Sequence, residues 1–143
     1  RKAGKIGREV KEYAKSIIKA GMPLLEIAEK IENKIIDLEG KPAFPVNLSI
    51  NEVAAHCTPT LESQEKASGL LKIDLGVHVN GCIIDTAFSL DLGNSEENKR
   101  LIEASELALK EAIKTAKPNI ELWKIGKIIQ ETIISFGFSP IRN

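Results

Sequence analysis

The sequence predicts an α+β domain. Three observations carry that prediction: two pairs of amphipathic helices, one long apolar hairpin between them, and a faint repeat that relates the two pairs. With 143 residues, 43% apolar and 28% charged, the chain has the length and balance of one globular domain. A formal net charge of zero gives no push towards nucleic acid or an anionic membrane, and no apolar run approaches the length of a membrane span. The two cysteines, Cys57 and Cys82, form no C-x-x-C pair and read as free thiols of a reducing compartment, with Cys82 expected in the core.

The first helix is expected over residues 2–20, with Ile6, Val10, Tyr13, Ile17 and Ile18 on one stripe and Gly21 as its stop. Pro23 suits the first turn of a second helix that runs to about Glu39. Its core stripe is Leu24, Ile27, Ala28, Ile31 and Ile35, and Gly40 and Pro42 end it. FPVNLSINEVAAH is expected to give a strand and an approach loop, and LESQEKASG (61–69) a surface loop. A third helix starts at the N-cap Ser95, with Glu96 and Glu97 in its first turn, and runs to about Lys117. A fourth covers Ile120 to Phe136 and stops at Gly137, with Trp123 as a core residue.

LLKIDLGVHVNGCIIDTAFSLDLG (70–93) is the hairpin. Both central residues of a type I′ turn need positive φ, which Asn80-Gly81 tolerates best. That turn sets Asp85 opposite Gly76 and Asp74 opposite Ala87, so the two aspartates lie diagonally on one face with Gly76 and His78. The small residues Gly76 and Ala87 are expected to leave open space beside the acids. On spacing alone two readings stand. The acids face water, or they converge on a metal ion, with His78 as the geometric third ligand.

Segments 19–42 and 117–140 correspond at an offset of 98: Leu24 with Leu122, Ile27 with Ile125, Ile31 with Ile129, Ile35-Ile36 with Ile133-Ile134, Pro42 with Pro140. The expected organisation is a first pseudo-repeat over 1–93 and the helices of a second over 94–143. On this reading the chain is the first half of a larger domain.

Three stretches carry a family resemblance: KPAFPVNLSINEVAAHCTP (41–59), KIDLGVHVNGCIIDTA (72–87) and FGFSPIRN (136–143). Together they resemble the methionine aminopeptidases, nearest to their archaeal, type 2 branch. The resemblance implies the pita-bread fold of the creatinases and aminopeptidases, here its first half plus the opening helices of the second. It implies removal of the N-terminal methionine of peptides and nascent proteins in the cytoplasm, by a hydroxide that two divalent ions activate (Co²⁺, Mn²⁺, Fe²⁺ or Zn²⁺). It assigns Asp74 as a terminal and Asp85 as a bridging metal ligand. His56 takes substrate contact and proton handling, Phe44 the apolar pocket for the methionine side chain, and His78 no ligand role. The remaining ligands are expected from a missing C-terminal half, in cis or as a second chain, and the isolated chain is expected to be inactive. The alternatives are a non-catalytic homologue that binds peptides or proteins, an inactive half-domain, or a creatinase- or prolidase-like hydrolase. The HCTP and FPVNLS segments speak against the last.

Overall fold

In a computed structural model, which describes residues 1–141, the chain forms two compact units, Arg1–Asn94 and Ser95–Asn143. The last two residues of FGFSPIRN lie outside the described residues.

The first unit follows from the periodicities. Helices α1 (Lys2–Ile17) and α2 (Leu24–Asp37) pack on each other and on one face of a four-stranded antiparallel sheet. The five apolar residues expected on the α2 stripe are the five that α2 buries. The sheet is built around β3 (Leu70–Val79). Along one edge it pairs with β4 (Cys82–Asp91) over its full length. Its other edge is shared, by β1 (Lys41–Pro42) against Val77 and His78 and by β2 (Asn47–Ile50) against Leu71 to Asp74. On the helix side of β3, Leu71, Ile73, Leu75 and Val77 are fully buried. At roughly 1.5–3 kcal/mol for each large apolar side chain taken from water, this row is a main element of the core.

Three expectations need correction. Helix α1 stops at Ile17 rather than Ala20, because Ile18 turns extended (ψ 128°) and drops into the core. Gly21, at φ 85°, serves the turn that follows, where Gly21 N–H bonds Ala67 O and Ala67 N–H bonds Met22 O. Cys82 is exposed, not buried. The helix layer begins beside Ile84, which packs over Gly4 and Gly7 of the first helical turns, and the hairpin tip overhangs it. Trp123 is 59% exposed.

The second unit is a helix pair, α3 (Glu96–Thr115) and α4 (Leu122–Ser135). Ser95 caps α3 as expected, its hydroxyl accepting from Asn98 N–H. α3 buries Ala104, Ala108 and Ala112, one residue per helical turn.

The backbone of the two pairs repeats at the offset of 98 seen in the sequence. α1 and α3 end on Ile17 and Thr115, and each is followed by an extended residue whose N–H bonds Ala14 O or Ala112 O. Gly21 and Asn119 both take positive φ. α2 and α4 have 14 residues each and close with the same two hydrogen bonds, Gly40 N–H to Ile35 O and Glu39 N–H to Ile36 O in one, Phe138 N–H to Ile133 O and Gly137 N–H to Ile134 O in the other. This is the Schellman closure, whose residue after the C-cap is left-handed and usually glycine. α4 uses Gly137 there (φ 83°), but α2 uses Glu39 (φ 62°). A non-glycine residue in that region costs on the order of 1 kcal/mol. Gly40 is glycine for a different reason: a Cβ there would press on Val77 and Ile35. Glu39→Gly is therefore expected to raise the urea midpoint of unfolding without changing the m-value. It loses only the exposed ion pair with Lys2, which contributes little. A lowered midpoint would show that this pair outweighs the backbone strain.

Candidate metal centre

The face of the sheet turned away from α1 and α2 carries the candidate site. The turn takes the predicted form, with φ 50° at Asn80 and 81° at Gly81. Asp85 lies opposite Gly76, and Asp74 opposite Ala87. Asp74 has a second neighbour that the hairpin alone does not reveal. On its other edge it pairs with Asn47 of β2, so the two side chains share a face.

Phe44 enters through the gap between β1 and β2. Pro42 ends its pairing at Val77, and Ala43 N–H then bonds Gly76 O. The chain lifts Phe44 over Gly76, where its ring occupies the place a Cβ would take. The space above Gly76, expected to be open, is thus filled by Phe44. The segment is fixed further on by Val46 N–H, which donates to Glu32 Oε1 of α2 at 3.0 Å.

His56 sits on the loop after β2, in the left-handed region at φ 61°. Two clamps hold that loop. At its start Asn51 is tied to β3 by three bonds: its N–H to Leu70 O, its Oδ1 from Leu70 N–H, and its carbonyl from Lys72 Nζ at 2.7 Å. At its end Leu48 N–H bonds Cys57 O, and the Thr58 hydroxyl donates to Asn47 Oδ1 at 2.7 Å. Burial of Lys72 lowers the pKa of its ammonium, with the charge of Glu52 acting the other way.

Phe44, Pro45, Asn47, His56, Asp74 and Asp85 line one cavity of about 410 Å³. The four residues to which the resemblance gives a role therefore line it together. His78 lies on the same strand face but outside this lining, and its Nδ1 is buried without a hydrogen-bond partner. Asn47 and Pro45 were not anticipated. Asn47 is placed by the β2–β3 register, a non-local pairing with no turn signal to announce it.

The electrostatics of the cavity suit a cation. Burial raises the pKa of Asp74 above the ordinary carboxylate value, and the adjacent Asp85 carboxylate raises it further. His56 and the Asn47 amide pull it part of the way back. Oδ1 of Asp74 is buried and accepts no hydrogen bond. A buried carboxylate oxygen without a donor, next to a second carboxylate, is the donor set of a hard or borderline divalent ion. It is an incomplete one: among the described residues, no three His, Cys, Asp or Glu side chains gather to hold an ion.

Against known proteins the whole chain, residues 1–143, matches the model of metallopeptidase family M24, and it belongs to that family. Methionine aminopeptidases are among its curated relatives. That of Methanocaldococcus jannaschii is 50% identical over 143 residues, 99% of this chain and 48% of the relative. That of Methanothermus fervidus is 45% identical over 156 residues, all of this chain and 83% of the relative. The chain thus spans about half the length of the first of these relatives. Among solved structures, it superposes on a methionine aminopeptidase from Thermotoga maritima with a TM-score of 0.90 at 29% identity, covering 99% of this chain and 61% of the other. A prolidase from Pyrococcus furiosus gives 0.79 at 25%, covering 95% and 41%. The fold is the pita-bread fold, as the motifs implied.

A carboxyl whose folded pKa is raised favours the fold in its protonated form. The metal-free protein therefore loses stability as pH rises from the ordinary value of 3.8 through the raised one. Asp74→Asn removes that loss. At pH 7 the metal-free variant is expected to melt above wild type, with the gap closing as pH falls towards 3.8. Calorimetry across that range checks it, and a lower melting temperature at pH 7 would contradict it.

Proposed function

We propose that this chain supplies two metal ligands and the substrate-side groups of a dinuclear methionine aminopeptidase. The observation that carries the reading is the convergence of Asp74, Asp85, His56 and Phe44 on one cavity. The names of the relatives support the choice of substrate, the N-terminal methionine of peptides and nascent proteins.

Asp74, with its unpartnered Oδ1, and Asp85 beside it would hold the metal, in the terminal and bridging roles that the resemblance implies. When bound, two divalent ions (Co²⁺, Mn²⁺, Fe²⁺ or Zn²⁺) supply Lewis-acid polarisation of the scissile carbonyl and a water acidified towards neutral pH. The rest of the work assigned to this chain is positioning. The Phe44 ring, seated on Gly76, gives the methionine side chain an apolar wall and keeps water from it. His56 donates a hydrogen bond to the substrate peptide or to the oxyanion that forms from its carbonyl, an interaction of about 3–4 kcal/mol where such donors have been removed. Its left-handed backbone, in a loop clamped at both ends, places the residue at the mouth of the cavity.

Two carboxylates do not fill the coordination of two ions, so the reading requires further ligands from residues outside these 143, in cis or on a second chain. No helix among the described residues is long and apolar enough to cross a membrane. A cytoplasmic setting suits both the proposed substrate, nascent chains, and the two free thiols. A peptide-binding homologue without catalysis is the rival reading. The two aspartates speak for the enzyme, since peptide binding alone gives no reason to keep two repelling carboxylates together.

Three results are expected. Mn²⁺ or Co²⁺ raises the melting temperature of wild type and leaves that of Asp74→Asn and Asp85→Asn unmoved. The 143 residues alone release no methionine from a Met-Ala-Ser peptide. In a complete ligand set, His56→Ala lowers kcat about 10²- to 10³-fold, while Phe44→Ala acts mainly on KM. Methionine release by the pure 143-residue chain would overturn the ligand count, and equal metal stabilisation of the aspartate variants would overturn the centre.

A further inference from the structure

Asn47 stands between the His56 loop and the proposed ligand Asp74, and its amide has two distinct ends. Its Oδ1 is taken by the Thr58 hydroxyl at 2.7 Å. A hydroxyl can serve either end of an amide, but with an acceptor carboxylate on the other side only one turn satisfies both neighbours, the oxygen on Thr58 and the nitrogen towards Asp74. Nδ2, the donor end, is left for the neighbour across the strand pair, and that neighbour is Asp74. Thr58 is two residues from His56 on the same loop, and Leu48 N–H to Cys57 O holds that stretch against β2 at 2.7 Å.

We propose that Thr58 is a positioning residue for the metal ligand Asp74, acting through the Asn47 amide, which it orients with its donor end towards that carboxylate. The inference rests on the reading of Asp74 as a ligand. It gives the site one continuous tether, from the loop that carries the substrate histidine, through a hydroxyl and an amide, to the carboxylate. A ligand held by a donor on one oxygen presents the other, Oδ1, in a fixed direction, and outer partners of this kind set ligand orientation. The pull of Asn47 towards the ionised form of Asp74 agrees with this arrangement. Without the Thr58 bond the amide can turn over, and its oxygen would then face a carboxylate and repel it.

The test uses two readouts on Thr58→Val, Thr58→Ser, Asn47→Ala and the Thr58→Val/Asn47→Ala double variant. In the metal-free protein, the Asn47 side-chain NH₂ resonances are expected to be fixed and slow to exchange in wild type and in Thr58→Ser, and averaged in Thr58→Val. In Mn²⁺ titrations of the complete ligand set followed by calorimetry, Thr58→Val is expected to weaken binding about 3- to 10-fold, below the 10- to 100-fold usual for such partners because Thr58 is exposed. Thr58→Ser restores the affinity, and the double variant is no weaker than Asn47→Ala alone. An unchanged Asn47 amide in Thr58→Val, or losses that add in the double variant, would overturn the proposal, since a merely structural threonine acts independently of Asn47. Failure of wild type with the complete ligand set to bind Mn²⁺ would overturn the metal centre itself. Wild-type binding that is unchanged in Thr58→Val would overturn only the positioning.

Discussion

The register of β3 is the constraint on which the first unit depends. One face of the strand is the buried row Leu71, Ile73, Leu75 and Val77, and the other is Lys72, Asp74, Gly76 and His78. A slip of one residue would send four buried side chains to water and a carboxylate into the core, so the fold and the site stand or fall together. Asn80-Gly81 sets the register on one side, through positive φ at both turn residues. On the other side the strand edge is divided, and the division itself does work. Because β1 and β2 leave a gap at Gly76, Phe44 can reach the sheet face that every other part of that edge would cover.

What could be read in the sequence was local, and what could not was the pairing of distant segments. The hairpin register came out residue for residue because a two-residue turn leaves no freedom in it. The α2 stripe did so because its apolar positions follow the helical period without interruption. Asn47 escaped notice because only the β2–β3 register brings it to Asp74, and a connection of 19 residues fixes no register that could be counted from the sequence. The same lack of tertiary knowledge left the space over Gly76 looking open and Cys82 looking buried. A glycine marks a place where something else comes close, but not what comes. Strand alternation gives the face of Cys82, but not where the helix layer over that face begins.

The two helix pairs correspond more closely in backbone than in side chains. Turns, caps and helix ends recur at one offset, while the side chains facing inwards differ in size: Ile6 and Val10 of α1 correspond to Ala104 and Ala108 of α3. α1 lies on a sheet, where large apolar residues fill the space over β3 and β4. α3 presents alanines towards a partner helix, and small residues permit close approach of two helices. The backbone plan is thus tolerant of what it packs against. The one local compromise is Glu39, which holds the left-handed cap where α4 has Gly137.

The candidate site runs against the rest of the fold in its energetics. Elsewhere charged groups pair in exposed positions, as in Lys30 with Glu26 or Lys114 with Glu111, at little gain or loss. At Asp74 a partly buried carboxylate faces a second carboxylate, and only His56 and the Asn47 amide offset the repulsion. A chain under selection for stability alone would replace one of the two acids, because either substitution relieves the strain. The divalent cation proposed for this site would offset both at that range. The cost is confined to the solvent-facing side of β3, while the buried row on its reverse holds the strand in place. A strand anchored that firmly on one face can carry two adjacent carboxyl groups on the other without giving up its register.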